Sequence, residues 1–470
     1  MKTYFIGIGG IGMSGVAGLA KEKGYEVLGS EASEIYPPSS EILNLLGIRV
    51  NKPAKENIYH FKPDLVVVGN AINSSHPEVL ASQELGLFLL SFPEFINKYL
   101  LPGKKSLVVA GTHGKTTTST LLAWCLSSLN EHPSFLIGGM GINFERNFAY
   151  AKGPWFVLEG DEYPSAFFDR RPKFLHYHPY GLILTSLEYD HADVYPDLKA
   201  LEKVFRELIG DLEEGGVLVY HGEDGNLRKM IEGLKGNFRL LSYGRQIGDY
   251  RLLDCRSFFT GKYFLSRVTV RDNQGQIFTF THRLLGLHNS LNILAVIALL
   301  EALGFPREGI LKGIESFKGV KRRQEILLSE ENLLLIDDFA HHPTAVEITL
   351  RELIKAYKPS QVILFFEPRT NSSKRKVFQQ AYIEALSLAD TIFLKIPPKL
   401  EHIPQEERID LNYIVEELKK RGKKASILQE DIKPLNINTL TQKTLVVFMS
   451  SAYMKKEIEE IFTFLGKKSP

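Results

Sequence analysis

The sequence predicts an α/β protein of three domains, and three observations carry that prediction. A strand, a glycine-rich turn and a helix follow one another twice, from Tyr4 and again from Ser106. Continuous apolar strands separated by helical stretches recur towards the end of the chain, the pattern of parallel sheets buried on both faces. The 470 residues correspond to three domains at roughly 150 residues each, every one large enough to bury a core.

The first domain, 1–103, opens with the strand Tyr4-Phe5-Ile6, turns through Gly7-Ile8-Gly9-Gly10-Ile11-Gly12 and enters a helix from Met13 to Lys23. Strands follow from Tyr25 to Leu28 and from Leu65 to Val68, the second running into Gly69-Asn70, and Leu101-Pro102-Gly103-Lys104-Lys105 reads as a linker. The second domain, 104–318, restarts with the strand Ser106 to Ala110, the loop Gly111-Thr112-His113-Gly114-Lys115 and a helix from Thr116 to Leu129. It continues through strands Trp155 to Leu158, Gly181 to Thr185 and Gly216 to Tyr220. Between about Tyr250 and Phe280 the pattern alternates, as in Ser266-Arg267-Val268-Thr269-Val270, which predicts antiparallel, half-exposed strands, and a helix from Ser290 to Ala302 follows. The third domain, 319–470, carries strands at Leu333 to Ile336, Gln361 to Phe366, Thr391 to Leu394 and Thr444 to Phe448, again with helices between them.

Composition excludes several classes. With 57 Lys and Arg against 55 Asp and Glu the formal net charge is +2, which argues against a broadly electrostatic nucleic-acid or anionic-membrane binder. Cys125 and Cys255 form neither a disulfide framework nor a zinc knuckle, so a reducing compartment is favoured. Glycines interrupt the amino terminus before a signal-peptide core can form, and the longest strongly apolar run, Ile293 to Leu300, is far short of the roughly 20 residues of a membrane span. A soluble cytoplasmic protein, monomeric and without nucleic-acid or membrane partners, is expected.

Gly111-Thr112-His113-Gly114-Lys115-Thr116 sits between a strand and a helix start, where backbone N–H groups and the helix dipole favour a phosphate. Lys115 can meet terminal phosphates and the Thr116 hydroxyl can ligate Mg²⁺. The spacing departs from the standard P-loop, because Val109 stands where the first Gly is usual. Gly7, Gly9 and Gly12 satisfy G-x-G-x-x-G, with Glu31 after the second strand; this fits a dinucleotide, another diphosphate or a structural turn.

Acids and a histidine follow two central strands, in Glu159-Gly160-Asp161-Glu162 and Glu188-Tyr189-Asp190-His191-Ala192-Asp193. Carboxyl ends of parallel strands are where open α/β sheets bind ligands, so these groups are candidates to hold Mg²⁺ beside the phosphate loop. Lys321-Arg322-Arg323 lies at a domain junction, from which an Arg can reach a phosphate on the neighbouring domain; Asp337-Asp338-Phe339-Ala340-His341-His342-Pro343 could serve ribose, metal or substrate.

Together these residues resemble the Mur ligases, the ATP-dependent amide-bond ligases of bacterial peptidoglycan synthesis. Gly111 to Thr118, Glu159, Asp190-His191, Gly286 to Asn292, Arg322-Arg323 and Asp338 to Pro343 stand in the family's order across essentially the whole chain. The resemblance implies a fold of an N-terminal Rossmann-like domain, a central P-loop-type ATPase α/β domain and a C-terminal Rossmann-like α/β domain. It implies that Gly9, Gly10, Ile11, Gly12, Met13 and Ser14, with Asn70, hold a UDP-sugar. Gly111, Thr112, His113, Gly114, Lys115, Thr116 and Thr117 would cradle ATP, His288, Asn289 and Asn292 approach the adenine, Arg323 the terminal phosphate and Asp338 the nucleotide. Thr116, Glu159 and His191 would ligate Mg²⁺; Lys115, His191, Arg323, Asp338 and His342 would be the catalytic set.

Family members that start from UDP-N-acetylmuramate add either L-alanine or the recycled tripeptide L-alanyl-γ-D-glutamyl-meso-diaminopimelate. The opening Gly-Ile-Gly-Gly-Ile-Gly-Met-Ser is similar to the first branch. Asp161 to Asp169, Lys173 to Tyr177, Asp190 to Asp193 and Glu367 to Ser372 are similar to the second, which is the expected one. Arg369, Asn371 and Lys374 are then the candidate peptide-carboxylate cluster. Arg206 occupies the place where many relatives carry a carbamylated lysine. A nicotinamide oxidoreductase would leave Lys115, Glu159 and Arg323 unexplained, and a nucleotide-regulated binding protein would explain the ATP loop without a second substrate.

Overall fold

The computed structural model describes residues 1–189, 194–428 and 442–469. Three sheets, each in its own stretch of chain, organise the molecule.

The first contains β1 (Lys2–Ile6), β2 (Glu26–Ser30), β3 (Val50–Asn51), β4 (Leu65–Val68) and β5 (Phe88–Ser91), in the order β3-β2-β1-β4-β5. Every pairing is parallel. The order reverses between β1 and β4, so the glycine turn after β1 and Gly69-Asn70 after β4 lie side by side at a switch point. The helix Ile11–Glu22 follows the turn and packs against the central domain through glycines. A Cβ on Gly18 would lie 2.3 Å from the ring of Phe148, and one on Gly15 would lie 2.6 Å from Leu136. One apolar cluster therefore runs from Phe5 and Val16 through Leu136 and Phe148, joining the two domains.

The central sheet has ten strands: β6 (Lys105–Ala110), β7 (Ser134–Gly141), β8 (Arg146–Ala149), β9 (Trp155–Glu159), β10 (Gly181–Leu184), β11 (Val217–His221), β12 (Arg239–Gly244), β13 (Tyr250–Phe259), β14 (Phe264–Arg271) and β15 (Ile277–His282). Their order is β15-β14-β13-β12-β11-β10-β6-β9-β7-β8. The middle is parallel; β13, β14 and β15 pair antiparallel, as the alternating pattern predicts, and so do β7 and β8. In β14 every second residue from Phe264 to Val270 is buried, which is what a half-covered sheet requires. Helices Lys115–Ser128 and Leu287–Ala302 contribute the buried residues Leu121, Leu122, Ile293 and Val296 to the core on one face.

The third sheet comprises β16 (Glu325–Ser329), β17 (Leu333–Asp338), β18 (Gln361–Glu367), β19 (Thr391–Leu394), β20 (Lys424–Ile427) and β21 (Thr444–Ser450), ordered β16-β17-β21-β18-β19-β20. It is parallel apart from the β16–β17 edge pair. Among the described residues no helix is long and apolar enough to cross a membrane.

Candidate functional site

β6 lies between β10 and β9, and the chain leaves its carboxyl end into Gly111 to Gly114. Only glycine suits position 111, where φ is 131° and a Cβ would sit 2.3 Å from Thr185 Oγ1. The loop is clamped from β10's side: Thr112 N–H donates to Ser186 O at 2.9 Å, His113 N–H to Ser186 Oγ at 3.0 Å and Thr185 Oγ1 to His113 O at 2.6 Å. Gly114, in the left-handed region at φ 81°, faces Asn292, whose side chain a Cβ would meet at 2.9 Å. The helix begins at Lys115, so Thr116 and Thr117 stand in the first turn, whose N–H groups carry the positive end of the dipole.

Four charged groups converge there. Lys115 Nζ donates to Gly111 O at 2.6 Å and to both Glu162 oxygens, at 3.1 and 3.2 Å. Burial by itself would lower this ammonium's pKa, but the carboxylates of Glu162, Asp161 and Glu159 outweigh it and the net shift is upward. Thr116 Oγ1 donates to Glu159 Oε1 at 2.8 Å, and the other Glu159 oxygen accepts the Gly138 N–H at 2.7 Å. From the third domain, Arg323 Nη2 reaches Thr116 Oγ1 at 3.2 Å while its guanidinium lies 4.4 Å from the centre of the Phe339 ring. Burial pulls the Arg323 pKa down against the support of Asp338 and Glu159.

The turn that aims Arg323 is backbone-strained on both sides, with φ of 60° at Arg322 and 53° at Gln324. Asp338 braces it, accepting the N–H groups of Gln324 and Ala340, each at 2.7 Å. Arg322 points the other way, to Asp337 at 3.1 Å and to the carbonyls of Ser450 and Ala452 at 2.7 Å. Of the two arginines, the structure therefore brings only Arg323 to the phosphate loop.

Beside the loop, His113 Nε2 lies 3.3 Å from Glu188 Oε2, and its ring centre is 5.0 Å from that of His342. The His113 hydrogen bond is the main cause holding the Glu188 carboxyl below its ordinary pKa. Asn289 donates to Leu285 O at 2.8 Å and to Gln324 Oε1 at 3.2 Å, tying the helix Leu287–Ala302 to the domain junction. Burial, with His113 nearby, pushes His288 down to about 4, so its ring is neutral. His191, expected as a metal ligand, lies with Asp190, Ala192 and Asp193 outside the described residues.

In the first domain the glycine turn presents the start of helix Ile11–Glu22 to solvent, with Gly10 exposed, Met13 and Ser14 buried beneath it and Asn70 exposed alongside. Glu31 turns into this loop: its carboxylate accepts the Gly9 N–H at 2.9 Å. In the third domain Arg369 is exposed and pairs with buried Glu367 at 3.3 Å, and Asn371 is exposed nearby. Lys374 departs from the expected cluster; it is buried, and Nζ donates to Pro398 O at 2.9 Å. Arg206 is exposed and donates to Met230 O at 2.9 Å, so the structure does not bring it to Thr116 and Glu159.

Sequence reasoning missed Glu162 as the partner of Lys115 and Gly138 as the brace of Glu159. The signal for the first was present: Glu162 follows Glu159 at the carboxyl end of β9, the strand beside β6. The second had none, because Gly138 belongs to β7, a strand disguised by glycines.

Comparison with known proteins adds to this geometry. Residues 2–101 match the model of the Mur ligase family, catalytic domain, and residues 109–300 that of the Mur ligase middle domain. The UDP-N-acetylmuramate–L-alanyl-γ-D-glutamyl-meso-2,6-diaminoheptandioate ligase of Escherichia coli is 35% identical over 405 residues, 86% of either chain. The UDP-N-acetylmuramate–L-alanine ligase of Carboxydothermus hydrogenoformans is 32% identical over 431 residues, 91% of this chain and 89% of the relative. Among solved structures, the UDP-N-acetylmuramate–alanine ligase of Thermotoga maritima superposes with a TM-score of 0.81 at 25% identity over 99% of both chains. The murein peptide ligase of Psychrobacter arcticus superposes with a TM-score of 0.73 at 27% identity over 100% of both.

Proposed function

The chain belongs to the Mur ligase family, and on that premise we propose that it is the ATP-dependent ligase joining UDP-N-acetylmuramate to the tripeptide L-alanyl-γ-D-glutamyl-meso-diaminopimelate. The observation that carries the chemistry is the convergence of Lys115, Thr116, Glu159 and Arg323 on one phosphate loop from two domains. The 35% identity to a ligase named for that tripeptide supports the amine substrate. Membership of a ligase family sets aside the oxidoreductase and binding-protein readings.

A carboxylate resists an amine because it is anionic and has no leaving group. In the proposed reaction a muramyl carboxylate oxygen attacks the γ-phosphorus of ATP and ADP leaves. The peptide amine then attacks the acyl carbon, inorganic phosphate departs with the C–O bond electrons, and the nitrogen loses a proton as the amide forms. Both partners in the first step are negative, so preorganised cations lower its barrier. Lys115, held by Glu162 at the mouth of the loop, and Arg323, stacked on Phe339, are those cations. Gly111 to Thr117 form the cradle for the phosphates, with His288, Asn289 and Asn292 towards the adenine side and Asp338 holding the turn that presents Arg323.

The oxygen donors fit Mg²⁺. Thr116 Oγ1 and Glu159 Oε1 are 2.8 Å apart, a hard donor pair at the phosphate loop, and the expected His191 would complete the set. A magnesium ion there would supply charge neutralisation at the terminal phosphates. In the first domain the helix start from Gly9 to Ser14, with Asn70, would hold the UDP diphosphate. Arg369 and Asn371 are the remaining candidates for a peptide carboxylate, Lys374 being held by Pro398. His342, whose ring centre is 5.0 Å from that of His113, is the remaining member of the proposed catalytic set.

One observation favours L-alanine as the amine instead, the TM-score of 0.81 with an alanine ligase. Incubation with MgATP, UDP-N-acetylmuramate and either amine, with products weighed by mass spectrometry, separates the readings. The UDP-N-acetylmuramyl tripeptide is expected as the main product. A product from L-alanine alone overturns the amine assignment, and no product from either overturns the ligase reading.

A further inference from the structure

Among the described residues, His113, Glu188 and His342 form a group whose ligand atoms all lie within 4.8 Å of one another. We propose that they bind one divalent transition-metal ion of the zinc class, which latches the third domain onto the phosphate loop. The arrangement of these three side chains does not depend on the ligase assignment.

The donor set is two imidazoles and one carboxylate, which suits Zn²⁺, Co²⁺ or Ni²⁺ and disfavours Mg²⁺. It thus differs in kind from the all-oxygen pair of Thr116 and Glu159. His113 Nε2 and Glu188 Oε2 are 3.3 Å apart. That matches the edge of a tetrahedron around zinc, about 3.3 Å when metal–ligand bonds are about 2.0–2.1 Å. The His342 ring, 5.0 Å from that of His113 between centres, then needs only a small side-chain adjustment to supply the third ligand, and the fourth position stays open to water.

The surroundings hold the ligands in place. Glu188 and Thr112 bond reciprocally, the Glu188 N–H to Thr112 Oγ1 at 2.9 Å and the Thr112 hydroxyl to Glu188 O at 3.1 Å. Thr344, on the helix Pro343–Tyr357 that His342 precedes, donates to Glu188 Oε2 at 3.2 Å. The last contact and the third ligand come from the third domain, whereas His113 and Glu188 belong to the central one. An ion shared among them would join the domains and hold in place the loop residue next to Gly114.

The test uses chelator-stripped full-length protein titrated with CoCl₂. One equivalent is expected to give the intense visible d–d absorption of four-coordinate cobalt, displaced by Zn²⁺ and retained in Glu159→Gln. Glu188→Gln and His342→Gln, on opposite sides of the junction, should each weaken cobalt binding at least tenfold, with circular dichroism and melting confirming that at least one remains folded. Absorption no stronger than that of the aqueous ion overturns the proposal. So does a band that survives both substitutions, or one that Glu159→Gln removes.

Discussion

Arg323 and Thr116 are 207 positions apart in the chain, yet the guanidinium donates to the threonine hydroxyl at 3.2 Å. The contact crosses from the third domain to the first turn of the phosphate-loop helix, so the cation arrives only when the two domains meet. Arg323→Lys keeps the charge but loses the planar fork and the stacking on Phe339. Its expected effect is a fall in kcat on the order of 10²-fold, the size seen when one preorganised donor is removed. Phosphate release in the presence of UDP-N-acetylmuramate and tripeptide measures it; a change below about threefold would remove Arg323 from the proposed role.

Glu162 is the buried counter-ion of Lys115, with side-chain exposures of 2% and 16%. Glu162→Gln removes the ion-pair partner of a buried ammonium and should cost about 3 kcal/mol of stability by urea denaturation. Adding Lys115→Met removes the less compensated charge, so the double variant should recover at least about 1 kcal/mol of that loss. Strict additivity would mean the pair is not coupled. Lys115→Ala alone should abolish peptide-dependent ADP release.

Buried His282, 1% exposed and sharing the Ser290 hydroxyl at 3.0 Å, has its pKa pushed by burial from the ordinary 6.5 down to about 3. The unfolded chain therefore binds a proton near pH 6.5 that the folded chain refuses. Its contribution to stability is present above pH 6.5 and is lost as pH falls towards 3. The slope from this residue is about 1.4 kcal/mol per pH unit. Unfolding free energies at pH 7.5, 6 and 5 should decline accordingly in the parent protein and decline less steeply in His282→Gln. Identical slopes would contradict the assignment.

Gly18 gives a test of the joint core of the first two domains. The added methyl of Gly18→Ala would meet the Phe148 ring at 2.3 Å. An expected loss of about 1–3 kcal/mol follows from overpacking. Phe148→Leu in the same chain makes room and should reduce the penalty, whereas an unchanged penalty would place the strain within the helix.

Much of this fold is legible locally. The strands β1, β4, β6, β17 and β18 are short apolar runs, and the phosphate loop announces itself by glycines between a strand and a helix. Other strands are hidden. Ser134–Gly141 contains Gly138, Gly139 and Gly141, which read as turn residues, yet it pairs with β9 and supplies the N–H that holds Glu159. Glu325–Ser329 shows no polar–apolar alternation because all five residues are half-buried at a sheet edge. The candidate site divides the same way. Lys115 and Thr116 follow from their place between a strand and a helix start, but Lys374, expected with Arg369 and Asn371 to meet a peptide carboxylate, proves to be folded inward against Pro398.

The sequence by itself determined what short-range rules govern: three α/β sheets, antiparallel strands near 250–280, a glycine loop leading into a helix start and the residue types available for ligase chemistry. Hydrophobic periodicity, glycine conformation and helix capping act over a few residues, so they can be read in order along the chain. Tertiary structure alone decided which charges meet. Lys115 takes Glu162, Arg322 turns to Asp337 while its neighbour Arg323 turns to Thr116, and His113 gathers Glu188 and His342 from two domains. Those pairings depend on strand order and on two positive-φ residues flanking Arg323, long-range geometry that no local pattern encodes.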